Sequence, residues 1–470
     1  MNLKITYDYI HLIFFSFFFF FWGLDFETLN LTNTHHKESI QFLSILTLDY
    51  QSYKFLPNSK LSYSILFFII PIFYRLTGSK FFSFKKIFNY QQYIIFFTLF
   101  IVAHFFIVNF FYSNQLIDKS VIANLFYLLL LSVIYCHYRN FIHDNFNKIL
   151  MIYLTVFIFF SFSSSGSKEW NFGQCQNSFF LINIIKDYLK ISLTNSIYLE
   201  NSHLAMMSIP VFFSGIYFLA QANKVNLLFL LLLLLEIIIV LNNLSTTYFV
   251  CYLISQIALL FFFLKKINTK FWIFTILLLS LNSYLFLSDT NCTSKLNDFR
   301  AQDVLNTKLD KSNETELLLN DHELIWNTES RNMTTLIYER SIIIALETIK
   351  KRPFGWGIDG MDDATYDLIP RPEKQTQIKH KILQSLNVKD GLSNSLKMIT
   401  EFGIFTLIII YFFIKYMLTI KNISSYNIFI IVLFITMCIR GAGYFNGGFI
   451  FCLLEILYFK KKIIKFKKIN

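Results

Sequence analysis

The sequence predicts an all-α integral membrane protein, about twelve transmembrane helices with one large, partly helical loop, on three observations. Of the 470 residues, 55% are hydrophobic and only 15% charged, where soluble proteins carry about 25% charged residues. The apolar residues fall in blocks approaching the roughly 18–20 that cross a hydrocarbon core as a helix. These blocks run continuously rather than alternating, which selects helices over a barrel among the two structures that satisfy their own backbone in lipid.

The first block, Tyr7 to Leu24, lacks a small-residue cleavage site and reads as a retained helix. Its Phe17 to Phe21 run belongs to a chain rich in Phe, Ile, Lys, Asn and Tyr, a bias that an AT-rich genome encodes, and needs no aromatic binding site. Further spans are expected at Leu61 to Leu76, Tyr90 to Tyr112, Val121 to Tyr138, Ile149 to Phe162, His203 to Ala220, Val225 to Leu241, Thr246 to Leu264 and Phe271 to Leu287. Leu396 to Ile414, Ile428 to Ile439 and Gly447 to Phe459 follow the loop. Ile428 to Ile439 is short and needs flanking residues or bilayer thinning to span. The chain thus divides into residues 1–288 with about nine helices, a loop over 289–395, and residues 396–470 with about three helices and a basic tail.

Charge placement sets the orientation. With the N-terminus in the cytoplasm, the inner connections hold Lys80, Lys85, Lys86, Arg139, Lys148, Lys224, Lys265, Lys266, Lys270 and Lys421, and the tail adds Lys460, Lys461, Lys462, Lys465, Lys467 and Lys468. Both termini are then cytoplasmic, and the loop and the Ser163 to Ser202 segment lie outside. The net charge of +12 is mostly this topology signal; the lysines hug membrane ends and form no basic domain for nucleic acid. The six cysteines form no CxxC or Cys/His cluster, so no zinc or redox motif is expected. Cys175 and Cys292 lie in outer segments and could pair there. No phosphate-binding or dinucleotide glycine motif occurs, which argues against an ATP-driven pump and a Rossmann nucleotide-sugar enzyme.

Chemistry is expected in the polar loop and at the outer helix ends. A helix is predicted from Arg331 to Lys350, with Ser330 as N-cap and Pro353 forcing an end. Its periodicity puts Arg340 amid Met333, Leu336, Ile337, Ile343 and Ile344, with Arg331 on the opposite side. Arg340 either pairs with Glu347, snorkels, or grips phosphate through its guanidinium fork. Arg352-Pro353-Phe354-Gly355-Trp356-Gly357 follows, in which the glycines permit a tight turn or a close approach. Asp390-Gly391-Leu392-Ser393-Asn394-Ser395 then leads into a membrane helix, with Ser393 a plausible N-cap. Asp390, near a positive helix end, and Glu401, at the polar-to-apolar transition, are candidate proton acceptors. Glu200 and His203 precede an outer helix start, and Arg440 to Gly448, with Tyr444, forms a Gly-rich turn between the last two spans.

At these residues the chain resembles the O-antigen ligase and polymerase superfamily of bacterial inner-membrane enzymes. The resemblance rests on the helix with Arg331 and Arg340, on Pro353-x-Gly355-x-Gly357, and on Ser393-Asn394 followed by Glu401-Phe402-Gly403, in that order within the expected topology. The family's loop usually ends in His-Asn; Ser393 replaces that His, and Leu244-Ser-Thr-Thr247 lacks an arginine often found at that place. With Ser393 in place of His, and with Asp390-x-x-Ser393-Asn394 and Glu401-Phe402-Gly403, the chain resembles the polymerases more. The resemblance implies a metal-independent transfer at the periplasmic face, without cofactors, of an undecaprenyl-pyrophosphate-linked glycan onto a lipid-linked repeat unit. It implies catalytic roles for Arg331, Arg340, Asp390 and Glu401, and substrate contacts from Glu200, His203, Arg352, Ser393, Asn394, Arg440 and Tyr444. The implied partners are the lipid-linked oligosaccharides, the bilayer and a chain-length regulator protein. The rival readings are a ligase that uses lipid A core as acceptor and a polysaccharide transporter or flippase, for which repeats and mid-membrane charges would be expected.

Overall fold

The computed structural model describes residues 12, 99–112, 135, 139–158, 201–222, 226–241, 246–288, 333–369, 391–441 and 448–458. Among the described residues the regular structure is entirely helical. In chain order the helices are α1 (Leu99–Tyr112), α2 (139–158), α3 (Asn201–Gln221), α4 (Leu227–Leu241), α5 (Thr246–Phe263) and α6 (Thr269–Ser288). From the polar loop come α7 (Met333–Lys351) and α8 (Met361–Leu368). The last group is α9 (Asn394–Phe402), a 3-10 turn (Gly403–Phe405), α10 (Thr406–Thr419), α11 (Ser425–Ile439) and α12 (Phe449–Tyr458). Two segments, Leu204–Gln221 and Asn394–Thr419, are long and apolar enough to cross a membrane. The expected spans Tyr7 to Leu24, Leu61 to Leu76 and Val121 to Tyr138 lie outside the described residues apart from Leu12 and Tyr135, as does the Cys175–Cys292 pairing.

Helices α2 and α11 begin earlier than the sequence expectation, α8 was not expected, and the expected Leu396 to Ile414 span is broken at Gly403. Helix α2 is already formed at residue 139, about three turns before the expected Ile149. His143, Asp144, Asn145, Asn147 and Lys148 make this stretch look like a connection. Between them, however, Ile142, Phe146 and Ile149 recur at helical spacing and all three are buried. Helix α11 begins three residues before Ile428, because Ser424 and Asn427 form a reciprocal capping box.

Helix α11 is the centre of the bundle, buried along almost its whole length. It runs antiparallel to α3: Thr436 donates to the Met206 carbonyl (3.4 Å) near one end, and Tyr217 donates to the Ile423 carbonyl (2.9 Å) near the other. That second end also gathers Lys266, which donates to the Ile420 carbonyl (2.8 Å), and Arg139, whose guanidinium takes Glu455 through two bonds of 2.9 and 2.7 Å. Tyr135 donates to the same carboxylate. The opposite end holds α7, α8, α9 and Arg440. Around the bundle, α4, α5, α6 and α10 turn large aliphatic and aromatic residues outward, among them Leu227, Leu231, Leu253, Ile257, Phe261, Ile273, Leu277, Leu407, Tyr411 and Leu418. Exposed apolar residues in such a belt mark a contact surface.

Candidate functional site

The site is built on a break in the Asn394–Thr419 segment. Glu401-Phe402-Gly403 interrupts the helix, and Gly403 takes φ 55°. A continuous helix would bond Ile404 N–H to the Thr400 carbonyl. Instead the Pro353 to Gly357 turn supplies three partners. Ile404 N–H donates to the Pro353 carbonyl (2.9 Å), Trp356 N–H to Thr400 (3.0 Å) and Gly357 N–H to Glu401 (2.9 Å). The two backbones approach so closely that a Cβ on Gly355 would overlap the Glu401 carbonyl, and one on Gly403 the Pro353 carbonyl. Gly355 also has φ 83°, and Gly357 φ 90°, a region that costs other residues free energy. The two motifs singled out in the sequence are therefore halves of one backbone splint.

Aromatic packing fixes the turn from the far side. Phe354 contacts the rings of Phe111 and Phe405, and its carbonyl bonds the imidazole of His104 (2.8 Å). The Arg352 guanidinium lies over Trp356 (3.7 Å) and Tyr112 (5.0 Å), and Trp356 donates its indole N–H to Thr348 (3.1 Å). Arg352, expected to touch substrate, is thus stacked between two rings.

Helix α7 packs along α9 with Ile337, Arg340, Ser341, Ile344, Ala345 and Thr348 inward. Arg340 is only 3% exposed, as its place on the apolar face predicts, and burial pushes its pKa down to about 10. Glu347 is held by Lys350 (2.9 Å) and Lys351 (3.5 Å), and the Lys350 hydrogen bond keeps its carboxyl below the ordinary range. Tyr338 donates to the Ile439 carbonyl, one residue before Arg440, and burial raises its phenol.

Ser393 caps α9, accepting from Leu396 N–H (3.4 Å), and donates to the Cys438 carbonyl (2.6 Å), as does Ser395 (2.8 Å). Gly441 N–H donates to the Leu392 carbonyl (3.2 Å), and a Cβ at Gly441 would collide with the Asn394 side chain. The expected Ser393-Asn394 and Arg440-Gly441 elements therefore meet. Leu392, a non-glycine residue at φ 63°, stores strain at this junction.

Glu401 is sealed from solvent and pairs with Lys397 (2.8 Å), itself buried. The sequence reading missed Lys397, although its spacing four residues before Glu401 signals a helical pair. It also missed Glu236, hidden in a leucine-rich run, which is buried in the bundle and accepts from Tyr153 (2.9 Å). The Glu236 Oε2 atom meets no partner among the described residues. Ionisable groups therefore lie inside the bundle as well as at its ends. Arg331, Asp390, Glu200 and Tyr444 fall outside the described residues, and of His203 only its backbone, in α3, is described. No family model matches the chain, and no curated protein or solved structure is significantly similar to it.

Proposed function

We propose that this chain is a polytopic bacterial inner-membrane polymerase of surface polysaccharide, with about twelve spans and its 289–395 loop on the periplasmic side. The observation that carries this reading is the assembly of Arg340, Lys397, Glu401 and Arg440 at one end of the bundle, around a loop-to-helix splint made by the very motifs the family resemblance rests on. The orientation is supported by which ends meet. Tyr217 with Ile423 and Lys266 with Ile420 join ends that the lysine pattern assigns to the cytoplasm, and Tyr338 with Ile439 joins ends assigned outside. The outward apolar belt supports a lipid environment.

In the proposed reaction, a hydroxyl oxygen of the acceptor repeat attacks the anomeric carbon of the donor glycan. The bond from that carbon to the polyprenyl diphosphate oxygen breaks, and the diphosphate leaves with the electron pair. Arg340 and Arg440, with Arg331, neutralise the developing charge. A buried guanidinium that has lost its water gains from pairing with such an anion. Because Lys397 covers Glu401, the hydroxyl proton goes to Asp390, and Glu401 orders the break beneath it. Ser393 and Asn394 hold the loop end against Arg440, and Arg352 orients the splint through its aromatic stack.

Deleting the gene is expected to leave surface glycan with a single repeat attached; loss of all attached repeats with lipid-linked polymer accumulating indicates the ligase instead. Arg340→Ala and Arg340→Lys should both shorten chains at normal membrane protein level, since a point charge does not reproduce the fork. Normal chain length in Arg340→Ala removes Arg340 from the site. A transporter or flippase is the second reading, favoured by Glu236 in the bundle interior. Purified protein in vesicles with lipid-linked repeats separates the two: polymer formation supports the enzyme, translocation without polymer the transporter.

A further inference from the structure

The outer face of α7 carries a feature that glycan chemistry does not use. Ile342, Leu346 and Ile349 are 41%, 54% and 43% exposed. Their spacing of four and three residues puts them on one stripe, opposite the face that holds Ile337, Arg340, Ile344 and Thr348. Scattered exposed aliphatics are ordinary, but an aligned stripe on a helix from a polar loop calls for an occupant.

Three observations identify it. First, the stripe ends at the splint, where Pro353 bonds Ile404 of the apolar segment and Phe354 packs on Phe111 and Phe405. Beyond these contacts the exposed apolar surface continues through Ile404 and Leu407 on one side and Phe106, Phe110 and Phe111 on the other. The α7 stripe is thus continuous with the belt already assigned to lipid. Second, Lys350 and Lys351 follow the stripe at the end of α7 with largely exposed side chains; they share Glu347, and one carboxylate for two ammonium groups leaves net positive charge at this end for phosphate. Third, half-buried Tyr112 lies under the Arg352 guanidinium where the stripe meets the end of α1, residue types that collect where hydrocarbon meets headgroups.

We propose that α7 lies on the outer leaflet as an interfacial helix, with Ile342, Leu346 and Ile349 in the acyl boundary and Lys350 and Lys351 on the phospholipid phosphates. This placement rests on the membrane reading above, and goes beyond it by taking part of the loop out of the aqueous phase. It sets the opposite face of the same helix, with Arg340, at headgroup height, where the diphosphate of a lipid-linked substrate would travel. An amphipathic helix held by a modest apolar area and a few cations is the expected geometry for such contact.

The test is photo-crosslinking of the full chain in vesicles of phosphatidylethanolamine and phosphatidylglycerol. A benzophenone amino acid is placed singly at 342, 346 or 349, at Leu407 as the span control and at exposed Asp363 as the aqueous control. Mass spectrometry then reads phospholipid adducts. The expected result is an adduct yield at all three stripe positions close to that at Leu407, with none at Asp363, and a loss of yield at 346 in Lys350→Glu/Lys351→Glu. Adducts at Leu407 but none on the stripe overturn the inference and leave the membrane reading standing. Adducts between two copies of the chain at the stripe also overturn it, in favour of self-association. No adduct at Leu407 overturns the membrane reading, and the inference with it.

Discussion

Two fully buried carboxylates lie at opposite ends of the bundle, and they are held in different ways. Glu455 on α12 receives Arg139 through two bonds and Tyr135 through a third. Its partners come from a distant part of the chain, so the pair ties elements together. The Glu401 pair with Lys397 is made within one helical turn, so that ion pair joins no two elements. What joins the elements there is backbone: the Glu401 carbonyl takes Gly357 N–H, and Ile404 N–H turns to Pro353. At one end, side-chain charge is the fastener. At the other, main chain joins the turn to the broken helix, neutral hydroxyls of Ser393, Ser395 and Tyr338 tie α9 and α7 to the end of α11, and the Lys397 charge lies one turn from Glu401 in the same helix. A buried ion pair is in itself weak support for stability, so the two pairs are best compared by replacing both partners of each.

The sharpest way to break this comparison is to attack the backbone fastener. Gly403→Ala combines a positive φ with overlap on the Pro353 carbonyl and should destabilise by more than about 3 kcal/mol; membrane protein level and protease resistance of the loop measure it. Next come the side-chain fasteners. Arg139→Ala leaves Glu455 buried and unneutralised and should cost about 3–5 kcal/mol, read as lost thermal stability in detergent. Replacing both partners, Arg139→Met with Glu455→Leu, should recover most of that loss and keep chain elongation. The matching double change Lys397→Met with Glu401→Leu should also retain folded protein but lose elongation; equal elongation in the two double variants would erase the distinction.

The smallest effect belongs to Glu347. Its carboxyl is depressed below the ordinary value of 4.5 by Lys350 and then Lys351. A depressed acid contributes stability that is full above that ordinary value and is lost as pH falls through its lower folded value. The partners are largely exposed, so the contribution is less than about 1 kcal/mol. Glu347→Gln should flatten the acid side of the stability profile by that amount and leave chain length unchanged.

Helices at most of the described apolar blocks could be read directly, because the blocks run continuously rather than alternating, which selects a helix over a strand. The inward placement of Arg340 was legible from the periodicity of Ile337 and Ile344. The splint was not legible. Pro353 to Gly357 and Glu401 to Gly403 each look like a local turn, and nothing in either segment states that its missing hydrogen bonds are filled by the other. Lys397 was overlooked because it stands where polar sequence gives way to apolar. Glu236 was overlooked because hydrophobic blocks are read as wholes, which hides a lone acid whose partner, Tyr153, comes from another helix.

The splint also has a consequence for biogenesis. The donor turn around Pro353 leaves the ribosome before the helix it completes. When the Asn394–Thr419 segment enters the translocation machinery, its interruption at Gly403 carries main-chain groups with no partner along the helix, a state hydrocarbon penalises by several kcal/mol per group. In the proposed topology the earlier loop is exported first, and its docking would supply those partners. Lateral release of this helix into the bilayer would therefore wait on loop docking, and slowed export of the loop would leave the helix lodged at the translocon or degraded.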